Sequence, residues 1–401
     1  MKIDVYSPTI RRKEMDAVLT AMVEDMIGPG EQAKLLIQTA RERLKFDFCL
    51  ALRSPAIALH LALRALDLKE GQGVVISALS PLYYARVIED MGLVALYCDV
   101  QSPTACISRE TVEKAIAAKP ESAEIGCIVM NHTLGYLCDG LEIAELGVPL
   151  IEDCSQSYGA VIGEPFMEES GAKTAGTNQT GTAPAGQSPG AAIVSSGCAA
   201  FTILGLEERD MLTSGGGALL YTSKGRSSRS RVEAAVKNSG LPSDLPPELG
   251  LPDMNAAMAV VQFREAAKNL LKRREIVRLY TQSVLRTRHK LFVQTDVRNP
   301  KAQNEKDIDG DLPEKLPVQY NNYAFPLILE TGMKDVKAYA RRKDIAVESA
   351  FENTPAGCGI VPPEKCPEAY SLSLRTVLFP VYPRLGMTDA GKVAKLILTL
   401  P

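Results

Sequence analysis

The residues best placed to do chemistry lie in the stretch Gly147-Val-Pro-Leu-Ile-Glu-Asp-Cys-Ser-Gln-Ser-Tyr-Gly-Ala160. Its apolar run Val148-Pro149-Leu150-Ile151 leads into Asp153 and Gln156, the pattern of a buried parallel strand that delivers polar groups at its carboxyl end. Open α/β sheets place their ligands at that end. Two roles stand open for Asp153: a catalytic or ligand-holding carboxylate, or a strand-end group that caps local backbone N–H donors. Gln156 and Tyr158 also read as packing residues, and Tyr83 and Tyr84 as core residues on a helix face.

Other reactive types are sparse. His60, His132 and His289 are the only histidines, and none stands at ligand spacing from another, so no zinc site is expected. The nine cysteines form no Cys-x-x-Cys pair. Cys49, Cys98 and Cys127 sit inside apolar runs, which reads as small buried hydrophobes in a reducing compartment. Gly215-Gly216-Gly217 precedes a strand pattern instead of a helix, so it is a poor dinucleotide loop.

A formal net charge of -3 and a pI near 5.9 leave no electrostatic footprint for nucleic acid, and Arg11-Arg12-Lys13 and Lys272-Arg273-Arg274 read as solvated helix faces. No apolar run reaches the roughly 18–20 residues that span a bilayer, and Met1-Lys2-Ile3-Asp4 lacks a signal-peptide core. A soluble, cytoplasmic protein is the expectation.

The elements that must position Asp153 follow from periodicity. The chain has 401 residues, 46% of them hydrophobic, enough for a large core. Two helices, 11–27 and 31–44, flank Gly28-Pro29-Gly30; a strand at 46–53 precedes a helix at 56–66. Strands at 74–78, 94–100, 125–131 and 150–153 then alternate with helices at 84–91, 109–118 and 141–146. That alternation predicts an α/β fold with a mostly parallel, doubly wound sheet between helices, and runs at 199–206 and 217–221 bring it to about seven strands.

Residues 164–190 carry almost no apolar bulk and read as a mobile insertion, and 298–313 as a polar loop of the same character. A long helix begins after Pro252. The large domain is placed at 1–265 and a small C-terminal α/β domain, including the interdomain helix, at 266–401, with strands at 323–329 and 377–379 and helices at 333–342 and 388–399.

The stretch 147–160 resembles the signature of the DegT/StrS-type PLP-dependent sugar aminotransferases. Further likenesses follow in order: Ile57-Ala-Leu-His-Leu-Ala-Leu-Arg-Ala-Leu66, Tyr97-Cys-Asp-Val100, Asn131-His132 before Gly135, Asn255-Ala-Ala-Met-Ala-Val-Val-Gln262 and Leu378-Phe-Pro-Val-Tyr-Pro383. The resemblance implies a PLP-transferase-like large domain and a homodimer with its active site at the subunit interface. It also implies amination of nucleotide-linked keto sugars with glutamate as donor, in surface polysaccharide or antibiotic sugar pathways. By the same resemblance Asp153 pairs with the pyridinium nitrogen of PLP and Gln156 packs at its ring. Tyr83 lies near the ring-stacking aromatic.

Departures from that pattern fall on cofactor contacts. The Schiff-base lysine position, counted back from Gly216-Gly217-Ala218, is Arg209, and no lysine occurs between Lys173 and Lys224. A guanidinium stays protonated and is a poor nucleophile toward an aldehyde. In the phosphate cup the family's Gly-Thr becomes Pro55-Ala56 after Ser54, its serine becomes Leu204, and the Asn and Arg reaching from the neighbouring subunit become Glu248 and Gly250. Losing roughly four donors at about 1.5–3 kcal/mol each removes about 6–12 kcal/mol of gross interaction.

Asp153, Gln156, Ser54, Ala56 and Tyr83 are therefore expected as remnants of a PLP site that binds the cofactor weakly or not at all. The reading is a catalytically impaired member of the family. Two alternatives stand beside it: an active aminotransferase using an unrecognised lysine such as Lys173, or a non-catalytic homologue that binds a sugar nucleotide or supports a partner.

Overall fold

Asn131 and Asp153 end two neighbouring strands at one level, with Ile203 of a third strand beside Asp153, and that alignment fixes the place of the site. The computed structural model describes residues 2–163, 196–223, 246–298, 315–330 and 332–401. The expected insertion at 164–190, with Lys173, lies outside them, as does 299–313 of the polar loop.

In chain order the first strands are β1 (Phe46–Leu52), β2 (Gly73–Ser77), β3 (Val94–Cys98), β4 (Ile125–Asn131), β5 (Leu150–Asp153), the short β6 (Val161–Ile162), β7 (Phe201–Gly205) and β8 (Ala218–Ser223). Seven of these make one sheet in the order β1-β8-β7-β5-β4-β2-β3. The pairs from β7 to β3 are parallel, and β8 runs against both its neighbours. All residues of β2, β5 and β7 are buried, as strands covered on both faces require. The expected mostly parallel sheet of about seven strands is what forms.

Helices α1 (Arg12–Val23), α2 (Glu31–Leu44), α3 (Pro55–Ala65), α4 (Tyr83–Asp90), α5 (Arg109–Ala117) and α6 (Gly140–Ala144) come before the long α7 (Asp253–Val284). One apolar core joins α3 and α4 to one set of sheet side chains, and another joins α5 and α6 to the opposite set. At 1.5 Å per residue the 32 residues of α7 extend about 48 Å. Its first residue, Asp253, accepts the N–H groups of Gly30 and Ala33, both at 2.9 Å, and so caps α2, whose own cap residue is a glycine without a side-chain acceptor.

Arg273, expected on a solvated face, is instead 5% exposed. Its Nη1 donates to the carbonyl oxygens of Tyr323 (2.7 Å), Val381 (2.8 Å) and Asn322 (3.4 Å). Loop carbonyls from far along the chain replace water around the guanidinium, which charge clustering in sequence does not reveal.

Arg298 was expected to open a polar loop. It belongs to β9 (Val297–Arg298), paired antiparallel with β10 (Lys315–Leu316), and β11 (Val318–Gln319) pairs with β6. The C-terminal sheet has the order β12 (Phe325–Ile328), β14 (Thr376–Phe379), β13 (Glu348–Ser349), with α8 (Met333–Arg341), α9 (Pro367–Arg375) and α10 (Met387–Leu398). Tyr280 of α7 lies in this core and donates its hydroxyl to the Pro380 carbonyl at 2.8 Å. Ile3 joins the same core, its N–H bonded to Asp344 O and its carbonyl to Ala346 N–H, each at 2.8 Å.

Candidate functional site

The aligned ends of β4 and β5 open onto a cleft of about 720 Å³. Its walls come from the sheet side (Leu79, Tyr83, Asn131, Asp153, Gln156), from the 207–210 turn after β7, and from residues 348–354, which begin with β13 of the C-terminal sheet. This is the carboxyl end of a parallel sheet, where ligands of such folds bind.

Asp153 lies at the floor, 5% exposed. One oxygen, Oδ1, accepts the Ser155 N–H at 2.8 Å and the Ser155 hydroxyl at 2.5 Å. The other, Oδ2, accepts the hydroxyls of Tyr84 and, at 3.4 Å, Tyr83. Ser155 Oγ in turn accepts the Gly205 N–H at 2.7 Å, fastening β5 to β7. Both carboxylate oxygens are thus engaged from within the chain.

α4 delivers the two phenols because Tyr83 and Tyr84 open its first turn, directly above the sheet end. Tyr84 is fully buried, as the helix-face reading expected, and Tyr83 is half-buried and lines the cleft. Burial first, and then the adjacent Asp153 carboxylate, pushes both phenols well above their ordinary range, so they stay protonated donors.

Asp210, beside this pair, was not singled out from sequence. Its Oδ2 accepts the Glu207 N–H at 2.8 Å, yet burial, together with the charges of Asp153 and Glu207, lifts its carboxyl to about 8. The available signal was its place one residue beyond Arg209. Arg209 itself lines the cleft but turns to Glu348, with Nη1 to Oε2 at 2.6 Å, and its guanidinium lies 5.7 Å from the Tyr6 ring centre.

Gln156 lines the cleft with its Oε1 held by the Leu134 N–H at 2.7 Å. Leu134 takes a left-handed conformation (φ 53°) that turns this N–H toward it. The next residue, Gly135 (φ +87°), could not carry a Cβ, which would stand 2.8 Å from the Gln156 carbonyl oxygen. At the start of α3, Ser54 Oγ accepts the Ile57 N–H at 3.3 Å, and Pro55 occupies the first helical position. Pro55 lines the cleft, whereas Ser54 and Ala56 are not among its lining residues. Leu204 is fully buried, Gly250 is buried, and Glu248 is exposed.

Behind the floor, His132 Nδ1 accepts the Cys138 N–H at 3.1 Å, so Nε2 carries the hydrogen that faces Glu152 Oε1 at 3.0 Å. Glu152 also accepts from the Ser196 N–H and hydroxyl. Cys154 brings its sulfur within 4.8 Å of these His132 and Glu152 atoms, a grouping that spacing along the chain did not suggest. Both imidazole nitrogens are committed to hydrogen bonds, which makes the trio a structural network. Eight of the nine cysteines are buried and Cys358 is exposed.

Comparison with known proteins shows what the chain is similar to. Residues 8–182 match the DegT/DnrJ/EryC1/StrS aminotransferase family. Among curated relatives of this family, the chain is 27% identical over 163 residues to a GDP-perosamine synthase of Escherichia coli O157:H7, covering 39% of this chain. It is 32% identical over 117 residues, 28% of this chain, to an L-glutamine:2-deoxy-scyllo-inosose aminotransferase of Streptomyces fradiae. The chain spans 43% of the length of the first relative and 26% of the second.

Solved structures match over nearly the whole chain at low identity. A candidate sugar aminotransferase of Streptococcus pneumoniae in its PLP form superposes with a TM-score of 0.77 at 16% identity, covering 100% of this chain and 98% of its own. The aminotransferase TlmJ of Streptoalloteichus hindustanus gives 0.75 at 17%, covering 98% and 97%. The fold is that of the PLP-dependent aminotransferases, and PLP is the cofactor of the family. Among the described residues, no helix is long and apolar enough to cross a membrane.

Proposed function

We propose that this chain is a DegT/StrS-type homologue that does not carry out PLP-dependent transamination and instead binds a sugar-class ligand in the cleft over Asp153. The observation that carries this reading is the saturation of Asp153: Tyr84, Tyr83 and Ser155 supply donors to both its oxygens, leaving a pyridinium N–H no oxygen without a competing donor.

The other positions agree. Arg209 is paired with Glu348, and no lysine is among the described residues that line the cleft. Pro55 brings no N–H to the start of α3, so the helix terminus that reaches the cleft is a poor phosphate cradle. These residues do not fit PLP. Asp153, Gln156 and Tyr83 are read as remnants of a cofactor site that now shape a ligand cleft.

The names of the relatives point to sugars, and a nucleotide-linked sugar is among the ligands the family suggests. The homodimer implied by the family finds support on α1, where Met15, Leu19 and Met22 stand on one face at 51–56% exposure beside exposed Val23 and Ile27. A cytoplasmic location accords with the buried cysteines.

The test is a PLP titration of the purified protein followed by visible absorbance, borohydride trapping and peptide mapping. No bound cofactor and no trapped peptide is the expected result. A trapped lysine restores the aminotransferase and overturns the proposal.

A further inference from the structure

We propose that the cleft over Asp153 takes a polyhydroxylated ligand bearing a protonated amine, an amino sugar, in preference to a phosphorylated or nucleotide-linked sugar. This rests on the reading above that the cleft binds its ligand without PLP.

Asp210, raised to about 8, is mostly protonated at pH 7, which leaves the four carboxylates of Asp153, Glu207, Glu348 and Glu352 lining the cleft among the described residues, against the single guanidinium of Arg209. Arg209 is already engaged with Glu348 at 2.6 Å. What remains is a concave surface of one sign, which concentrates cations and repels phosphate. A phosphate group wants counter-charges and N–H donors, and Pro55 removes one from the helix start at the cleft. The field that excludes a diphosphate is the one that favours an ammonium.

Asn131 gives an independent indication. It is 7% exposed and lines the cleft, its Nδ2 donates to Thr133 Oγ1 at 3.1 Å, and its Oδ1 has no hydrogen-bond partner. A buried acceptor left over is satisfied by an N–H or O–H donor. An amine or a sugar hydroxyl supplies one, and an ionised phosphate oxygen does not. Tyr83, Tyr323 and Phe351 add aromatic surface to the same cleft, suited to the C–H face of a sugar ring and to a nearby cation.

The experiment uses the full chain, kept free of PLP, at pH 7 and low ionic strength. Glucosamine, glucose and glucose 6-phosphate are titrated by NMR, and GDP-mannose by calorimetry. Glucosamine is expected to bind at least about tenfold more tightly than glucose, with both phosphorylated probes weaker than glucose. That preference should shrink in roughly 0.5 M NaCl, where screening acts within a few ångströms.

Glu207 is half-buried and Glu352 exposed, so the double substitution Glu207→Gln, Glu352→Gln preserves the fold. It should cut the preference for glucosamine over glucose at least about threefold. The proposal is overturned if glucose 6-phosphate or GDP-mannose binds as tightly as glucosamine, if none of the four binds, or if the double variant keeps the full preference. PLP trapping on the same preparation separates the two readings. A trapped lysine removes the cofactor-free reading whatever the sugars do, and failure of the amine preference without PLP binding removes only this inference.

Discussion

The hydroxyl of Tyr84 donates to Oδ2 of Asp153, joining the first turn of α4 to the end of β5 in a fully buried contact. A phenol donating to a carboxylate in a dry place makes a strong hydrogen bond. It also occupies the oxygen through which the strand end would otherwise meet a ligand.

Tyr84→Phe removes that donor with little change in volume. A loss of about 1.5–3 kcal/mol of unfolding free energy is expected, the usual cost of deleting a hydrogen bond to a charged group. Urea melts at pH 7 measure it. A change within error would mean that Asp153 draws its support from Ser155 and Tyr83.

Arg209→Lys places an amine at the position that the family resemblance assigns to the Schiff-base lysine. The native side chain is about half exposed and points to Glu348, so the new ammonium is expected to pair there as well. Borohydride treatment with PLP should trap no more peptide than in the unsubstituted protein, and stability should move by no more than about 1 kcal/mol, as for an exposed ion pair. Efficient trapping at residue 209 would show that one substitution suffices to restore the site.

Asp210 sets a pH dependence. Its folded carboxyl is raised to about 8 from an ordinary value of 3.8. The native state therefore binds more protons than the unfolded chain between these values, and stability from this group, full below 3.8, falls as pH rises toward 8. The surrounding charges and phenols do not reverse the sign: Asp153 and Glu207 raise the carboxyl further, the backbone N–H of Glu207 partly offsets them, and Tyr6, Tyr83 and Tyr323 stay neutral across the range. Asp210→Asn should track the parent below about pH 4 and become more stable than it by a few kcal/mol at pH 8. Melting curves at four or five pH values test this, and parallel curves would refute it.

Leu19 is 56% exposed in the middle of the apolar face of α1. Leu19→Asp is expected to leave the melting temperature of the isolated chain almost unchanged and to convert a dimer to a monomer in light scattering at micromolar concentration. A protein that is monomeric before the substitution would remove the support this face gives to a dimer.

The sheet was legible because its signals are local. Alternating apolar runs and helical periods place 125–131 and 150–153 where β4 and β5 form, and an apolar strand followed by Asp153 marks the ligand end of the sheet. The tyrosines were legible as a helix face, but not their bonds to Asp153, because those depend on how α4 lies over β5. Arg209 and Glu348 are 139 residues apart, and nothing in the spacing of either announces the other.

Helix α9 carries a proline at its first position as a local start signal, but its cap comes from far along the chain. Its first N–H groups, those of Glu368 and Ala369, are capped by the Asp99 carboxylate at 3.1 and 2.8 Å, from just past the end of β3. Its cap residue, Cys366, contributes no side-chain bond. Caps supplied from elsewhere in the chain, as by Asp253 for α2, are invisible to a reading that searches for Ser, Thr, Asp or Asn immediately before a helix.

The pairing of Ile3 with residues 344–346 bears on how the protein is made. Roughly 340 residues of chain must leave the ribosome between the two halves of that bridge, which at about 5–20 residues per second is on the order of 17–70 s. Throughout that interval the segment around Ile3 lacks the backbone partners that hold it in the finished molecule, where Ile3 and Val5 are both buried. A chaperone that shields this segment during translation, or a slow codon run that lengthens the wait, would change the yield of folded protein without altering one contact in its native state.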